Sequence, residues 1–290
     1  MAPFPSTSSA INIPDMTLLY FLSYGFIQRA YVAGSFIAVL CAILGLFLVL
    51  RNLSLIGDGL SHVSFGAIAL GLFWGFYPFY VAIPVVILAS YLVLKLTEKA
   101  QIYGDAAIGI VSSVGIAGGV ILASLSKGFN VDLFSYLFGN ILAISNQEVF
   151  LSVGLSAVVL LVIIFLYNDL FATAFDEHFA KVAGIKTARI NVVLMFLTAV
   201  TVVLAIKVVG ILLVSAMLIL PAVAALQIAK GFKAAMITAA IVAIFGVLAG
   251  ITISFYADLP AGATVVMINF LLFVLFLSAK KIYRMREIRS

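Results

Sequence analysis

Two side chains that are costly inside an apolar chain stand four residues apart. In the run Asn52-Leu-Ser-Leu-Ile-Gly-Asp58-Gly-Leu-Ser-His62, a carboxylate and an imidazole fall on one helical face about one turn apart. Acids and histidines in membrane spans usually face a bundle interior or a wet cavity, which makes them functional candidates by default. A carboxylate oxygen and a neutral imidazole nitrogen suit a divalent first-row ion such as zinc or manganese. Two ligands alone make a weak site, and a symmetric dimer would bring four. The same pair admits other roles: Asp58 capping the helix start while His62 bonds a neighbouring helix, or a proton relay through both. Ser61 and Ser64 fit helix packing, where small hydroxyl residues are common. Ser61 and Asn140 are further candidates to line a path.

A second chemical segment lies in the polar stretch 168–189. Phe175-Asp-Glu-His-Phe-Ala-Lys-Val-Ala-Gly184 is too short and too polar to span a bilayer. At helical spacing, Phe179, Val182 and Ala183 form a small apolar face beside Asp176, Glu177 and Lys181, with Gly184 as the stop. A short helix of this form docks into another protein's groove or lies on headgroups. His178, Asp105, Asp132, Glu148 and Asp258 fall in loops or at span ends, where solvated roles are expected. Pro221 sits within an apolar run and predicts a kink.

The elements that position these residues are set by composition. Of 290 residues 65% are hydrophobic and 9% charged, against about a quarter charged in soluble domains. The long apolar runs select membrane-spanning helices, since barrel strands are short and alternate. The expected fold is all-α, a polytopic bundle. Candidate spans lie at 30–50, 56–75, 79–96, 106–125, 148–168, 190–206, 208–228, 234–255 and 262–279. That makes about nine, with eight as the alternative if one segment is merged or dropped. Lys207 alone separates two of them, and 129–145 reads as a re-entrant or interfacial element. Residues 1–27 form a tail with a short amphipathic segment at 16–26, 28–281 a single membrane domain, and 282–290 a basic tail.

With nine spans and the N-terminus outside, every Lys and Arg except Arg29, Lys127 and Lys207 falls on the cytoplasmic side. Cations hold loops on that side, so the C-terminus is expected in the cytoplasm. The formal charge of +5 thus reflects topology and no nucleic-acid partner. The single cysteine, Cys41, lies in an apolar run and reads as packing. There is no Gly-rich Walker loop, so ATP-driven work would need a partner.

These residues resemble the permease subunits of zinc and manganese ABC importers, the ABC-3 group, over about 28–280. The resemblance rests on Leu50-Arg-Asn-Leu-Ser-Leu-Ile-Gly-Asp-Gly-Leu-Ser-His62, Leu137-Phe-Gly-Asn140, the segment Phe175 through Gly184 quoted above, and Val209-Gly-Ile-Leu-Leu-Val-Ser-Ala-Met-Leu-Ile-Leu-Pro-Ala222, in that order. It implies a type II-like importer permease in a bacterial cytoplasmic membrane, paired with a second copy of itself. It also implies a cytoplasmic ABC ATPase dimer that holds the ATP, and an extracytoplasmic metal-binding protein that delivers Zn2+ or Mn2+. Asp58 and His62 match the acid and histidine of the family's path. Asp176, Glu177, Phe179, Ala180 and Gly184 match its coupling helix, with His178 where a Leu is expected. Overall likeness leans to zinc, then manganese, with iron or siderophores as a further option. A secondary carrier working without an ATPase is the rival class. An intramembrane metalloprotease is disfavoured by the lack of a His-Glu-x-x-His segment.

Overall fold

An apolar run in hydrocarbon has no water for its amides, so it closes its own hydrogen bonds as a helix. The computed structural model describes residues 23–125 and 136–287, with side chains through residue 281. The long helices are α1 (Gly25–Leu50), α2 (Ile56–Trp74), α3 (Pro78–Lys99), α4 (Gly104–Leu125) and α5 (Asn146–Phe165). Two short helices follow, α6 (Tyr167–Phe175) and α7 (Glu177–Val182), then α8 (Thr187–Val209), α9 (Val214–Ile228), α10 (Phe232–Ala257) and α11 (Ala261–Glu287). The expected segment at 16–26 is only partly described: 16–22 lie outside the described residues, and Gly25 and Phe26 open α1.

Contacts define two ends of the bundle. At one, Arg51 meets Glu177, Phe47 packs edge-on against Phe232 with centroids 5.1 Å apart, and Lys280 donates to Gln227. At the other, Lys207 pairs with Glu148, and Phe255 packs near Tyr24. Among the described residues eight helices are long and apolar enough to cross a bilayer. The expected span at 208–228 corresponds to α9, an apolar helix of only 15 residues that is not among these eight. Its approach begins at the Lys207 end, where Ile211 donates to the Tyr136 carbonyl, and it finishes with Gln227 at the Arg51 end. Residues 210–228 thus run from one end of the bundle to the other, the turn at 210–213 adding to the length of the helix. Pro221 is buried inside α9, and Pro84 also lies within a helix, on the exposed side of α3.

The break between the two spans differs from expectation. Helix α8 runs past Lys207 to Val209, because the ammonium finds a carboxylate instead of needing water. Lys207 Nζ lies 2.7 Å from Glu148 Oε1 and 5.0 Å from the centroid of the Tyr136 ring. Glu148, expected in solvent at a span end, is instead buried. It accepts from Tyr77 Oη at 2.8 Å and forms a capping box with Ser145 that starts α5. The described part of the element at 129–145 is a link beside this pair. It contains the 3-10 turn Ile141–Ala143, and Asn140 donates its backbone N–H to the Lys207 carbonyl. Gly139 and Gly210, both at positive φ, press backbone to backbone there, and a Cβ on Gly139 would come within 2.6 Å of the Gly210 nitrogen.

Removing one partner of a buried pair leaves a charge uncompensated, which costs about 3 kcal/mol, more than removing both. Lys207→Met is expected to lower the melting temperature of detergent-solubilised protein more than Lys207→Met combined with Glu148→Gln. Equal melting points for the two variants would deny the pair its structural role.

Burial divides the helices into a centre and a rim. In α1 67% and in α8 78% of the spanning window is buried, against 22% in α5 and 28% in α4. Helices apolar on every side belong inside. The rim keeps Leu161, Ile164 and Phe165 facing outward, which suits lipid and not water. Lipid tails are as apolar as these side chains, so the interior is held by close approach and by hydrogen bonds between helices. Tyr31 on α1 shares a 2.5 Å hydrogen bond with Thr252 on α10, and Gly66 on α2 lies against Gly115 on α4.

Candidate metal centre

Helix α2 starts after Leu55, with no side-chain cap, so Asp58 does not serve as the cap. Asp58 lies in the first turn, where a negative charge favours the helix dipole. His62 Nε2 is 3.5 Å from Asp58 Oδ2, beyond a good hydrogen bond, and among the described residues no neighbouring helix bonds the imidazole. The Asp58 side chain is 49% exposed and that of His62 24%. The flanks of α2 on either side of the pair are packed: Gly57 sits against Leu218 of α9 and Gly59 against Ile108 of α4. Two donors thus converge on an open side while small residues let the helix backbone seat deeply.

Ser61 belongs to the packed face. It is fully buried, and its hydroxyl donates to the Asp58 carbonyl at 2.8 Å, as Ser64 does to Leu60. Asn140 is exposed at the other end of the bundle, so the structure does not bring it to the pair. Among the described residues no three His, Cys, Asp or Glu side chains could hold a metal together. Cys41, fully buried in α1, supplies no ligand.

The second predicted element forms as a helix of six residues, α7. Asp176 caps it by accepting from the Phe179 N–H at 2.9 Å. It ends in a Schellman pattern, Ile185 N–H to Ala180 and Gly184 N–H to Lys181, with Gly184 at φ 85°. Ala180 is fully buried and seats the helix, while Phe179 is 66% and Val182 88% exposed. With Phe175 these make an apolar edge left exposed among the described residues. His178 points out beside them. Asp105 and Asp258 are exposed, as expected of span ends, and Asp132 lies outside the described residues.

A charged cluster beneath α2 was not anticipated. Arg51, which caps α1, donates to Glu177 at 3.0 Å and to Asn191 of α8 at 2.6 Å. Glu177 also holds Lys181 at 2.9 Å. Partial burial pushes the Glu177 carboxyl up, but the Lys181 hydrogen bond and the Arg51 charge outweigh it and hold it below the usual range. The available signal was Asn191, a polar residue at the start of an apolar run, and Arg51 inside the same motif as Asp58.

Residues 23–280 match the model of the ABC 3 transport family. The chain belongs to the ABC 3 transport family. The manganese import system permease protein ScaB of Streptococcus gordonii is 34% identical over 268 residues, covering 92% of this chain and 96% of ScaB. The high-affinity zinc uptake system membrane protein ZnuB of Haemophilus influenzae is 31% identical over 247 residues, 85% of this chain and 94% of ZnuB. Among solved structures, PsaBC from Streptococcus pneumoniae in complex with Fab aligns with a TM-score of 0.80 at 32% identity, covering 88% of this chain and 92% of that one. This family member is a multi-pass membrane protein.

Proposed function

We propose that this ABC 3 family member is the permease subunit of an ATP-driven importer of a divalent first-row metal ion, manganese or zinc. The observation that carries the reading is the Asp58–His62 pair, two metal-competent side chains on the one open face of an otherwise packed spanning helix. Relatives named for manganese and for zinc resemble the chain almost equally, and a carboxylate with an imidazole serves either ion. Two such pairs, one from each copy in a dimer, complete a four-donor site on the path.

The charges support an orientation with the Arg51 end in the cytoplasm. Arg51, Lys99, Lys181, Lys186, Lys230 and Lys280 belong to that end, as the positive-inside rule requires. Helix α7 then lies in the cytoplasm, where Phe179 and Val182 enter a groove of the ATPase that binds the nucleotide. A metal-binding protein outside delivers the ion at the Lys207 end. The ion moves to Asp58 and His62, and ATPase closure, felt through α7, releases it inward. A site of few protein ligands suits this task, since an ion held tightly would not leave.

Elemental analysis of cells lacking the chain, grown with manganese or zinc supplied in turn, tests the reading. The supplied cargo metal falls in the deletion and returns on complementation; unchanged content of both metals rejects the proposal. Phe179→Asp puts a charge into the docking edge without touching the buried Ala180. Co-purification of the ATPase subunit with this variant is expected to fall by about tenfold or more, as for a central apolar anchor. Full co-purification would place the docking surface elsewhere.

A further inference from the structure

We propose that Arg51 is the positioning residue that carries movement of α7 to the metal pair; the inference rests on the function proposed above. Its guanidinium bridges two elements at once, Glu177 at the start of α7 and Asn191 near the start of α8. The side chain is only 12% exposed, so little water competes with these bonds. Arg51 is also the last residue before the turn into α2. That turn is short and closed: Leu53 N–H bonds Leu48 O at 2.9 Å, Ile56 N–H bonds Leu53 O at 3.1 Å, and Asn52 adopts φ 56°. A shift of the guanidinium is therefore passed to the first turn of α2, which carries Asp58.

The surroundings leave room for such a shift. A cavity of about 190 Å3 adjoins the cluster, lined by Arg51, Glu177, Asn191, Glu98 and Ile108. Ile108, one of its lining residues, is also the residue against which Gly59 of α2 packs, so α4 joins the cavity wall to the ligand helix. An arginine is suited to this junction because its planar fork satisfies two acceptors in fixed directions, whereas a lysine offers a single flexible point charge.

The test uses the permease reconstituted in vesicles with its ATPase and binding protein, with metal uptake and ATP hydrolysis measured in the same sample. Arg51→Lys and Glu177→Gln are each expected to lower the ions moved per ATP by about tenfold, the size of effect typical of coupling residues. Equilibrium binding of Mn2+ or Zn2+ by the permease alone stays at the wild-type value, which a merely structural loss would not allow. Lys181→Met removes the other partner of Glu177 on the exposed side and leaves the ratio unchanged. If Arg51→Lys accumulates poorly, Glu177→Gln, on the surface helix, reads out the same link. An unchanged ratio in Glu177→Gln overturns the inference, as does an equal fall in Lys181→Met. Wild-type vesicles that move no metal with ATP would instead overturn the function beneath it.

Discussion

Replacing Asp58 and His62 together by alanine is expected to reduce metal uptake to background while the protein remains at its normal level in the membrane. The two halves of that statement have separate causes. Uptake falls by more than about 100-fold, because both side-chain donors vanish where even an outer-shell partner of a metal is worth about 10–100-fold. The level holds because neither residue supports the fold: Asp58 does not cap α2, half of its side chain is open, and among the described residues no other helix bonds His62. Alanine is also the better helix former at both positions. Uptake assays on membranes matched for permease content separate the two effects. Uptake at the parental rate would remove the pair from the path.

Gly45→Ala is expected to have the largest effect on the fold. A Cβ at this position of α1 would overlap the carbonyl oxygen and carbon of Leu218 on α9, which are backbone atoms and cannot swing aside. Around it Leu44, Leu46 and Phe47 are fully buried, so α1 has no free side toward which to move. Overpacking an interior costs about 1–3 kcal/mol when side chains can adjust, and more when backbones must part. Little Gly45→Ala protein is expected in membranes, and what remains should melt well below wild type. Gly154→Ala on the lipid-facing α5, with nothing within 4 Å of the added carbon, is the control and should melt at or above the wild-type temperature. A wild-type melting curve for Gly45→Ala would mean that α1 and α9 are not packed as described.

Much of this architecture was legible from spacing. The apolar runs mark the crossings because hydrocarbon forces each run into a helix, and Gly184 marks the end of α7 by cap chemistry, whereas the capping role of Asp176 at its start emerged only from the structure. The failures have a common physical source, which is pairing between segments distant in sequence. Lys207 looked like a break between spans, and Glu148 like a solvated end, because each is costly alone. Together they neutralise one another 59 positions apart in sequence, and α8 runs on past the lysine (207 − 148 = 59). Arg51 likewise looked like a topological cation until Glu177 and Asn191 appeared beside it. For the candidate site, the helical periodicity placed Asp58 and His62 on one face, but not that this face stays open. Openness depends on Leu218 and Ile108, from two other helices, packing against the flanks at Gly57 and Gly59 and not over the pair itself. Ser61 shares the motif and faces the other way, a difference of 100° per residue that only packing can assign to core or path.

Whether the chain forms the path of an ATP-driven metal importer is decided by metal uptake in vesicles holding the permease, its ATPase and the delivery protein. Mn2+ or Zn2+ is expected to enter only when ATP is present on the ATPase side, with no entry when the ATPase is omitted. Uptake that proceeds without ATP or the ATPase, driven by an ion gradient alone, would contradict this role and identify a secondary carrier instead.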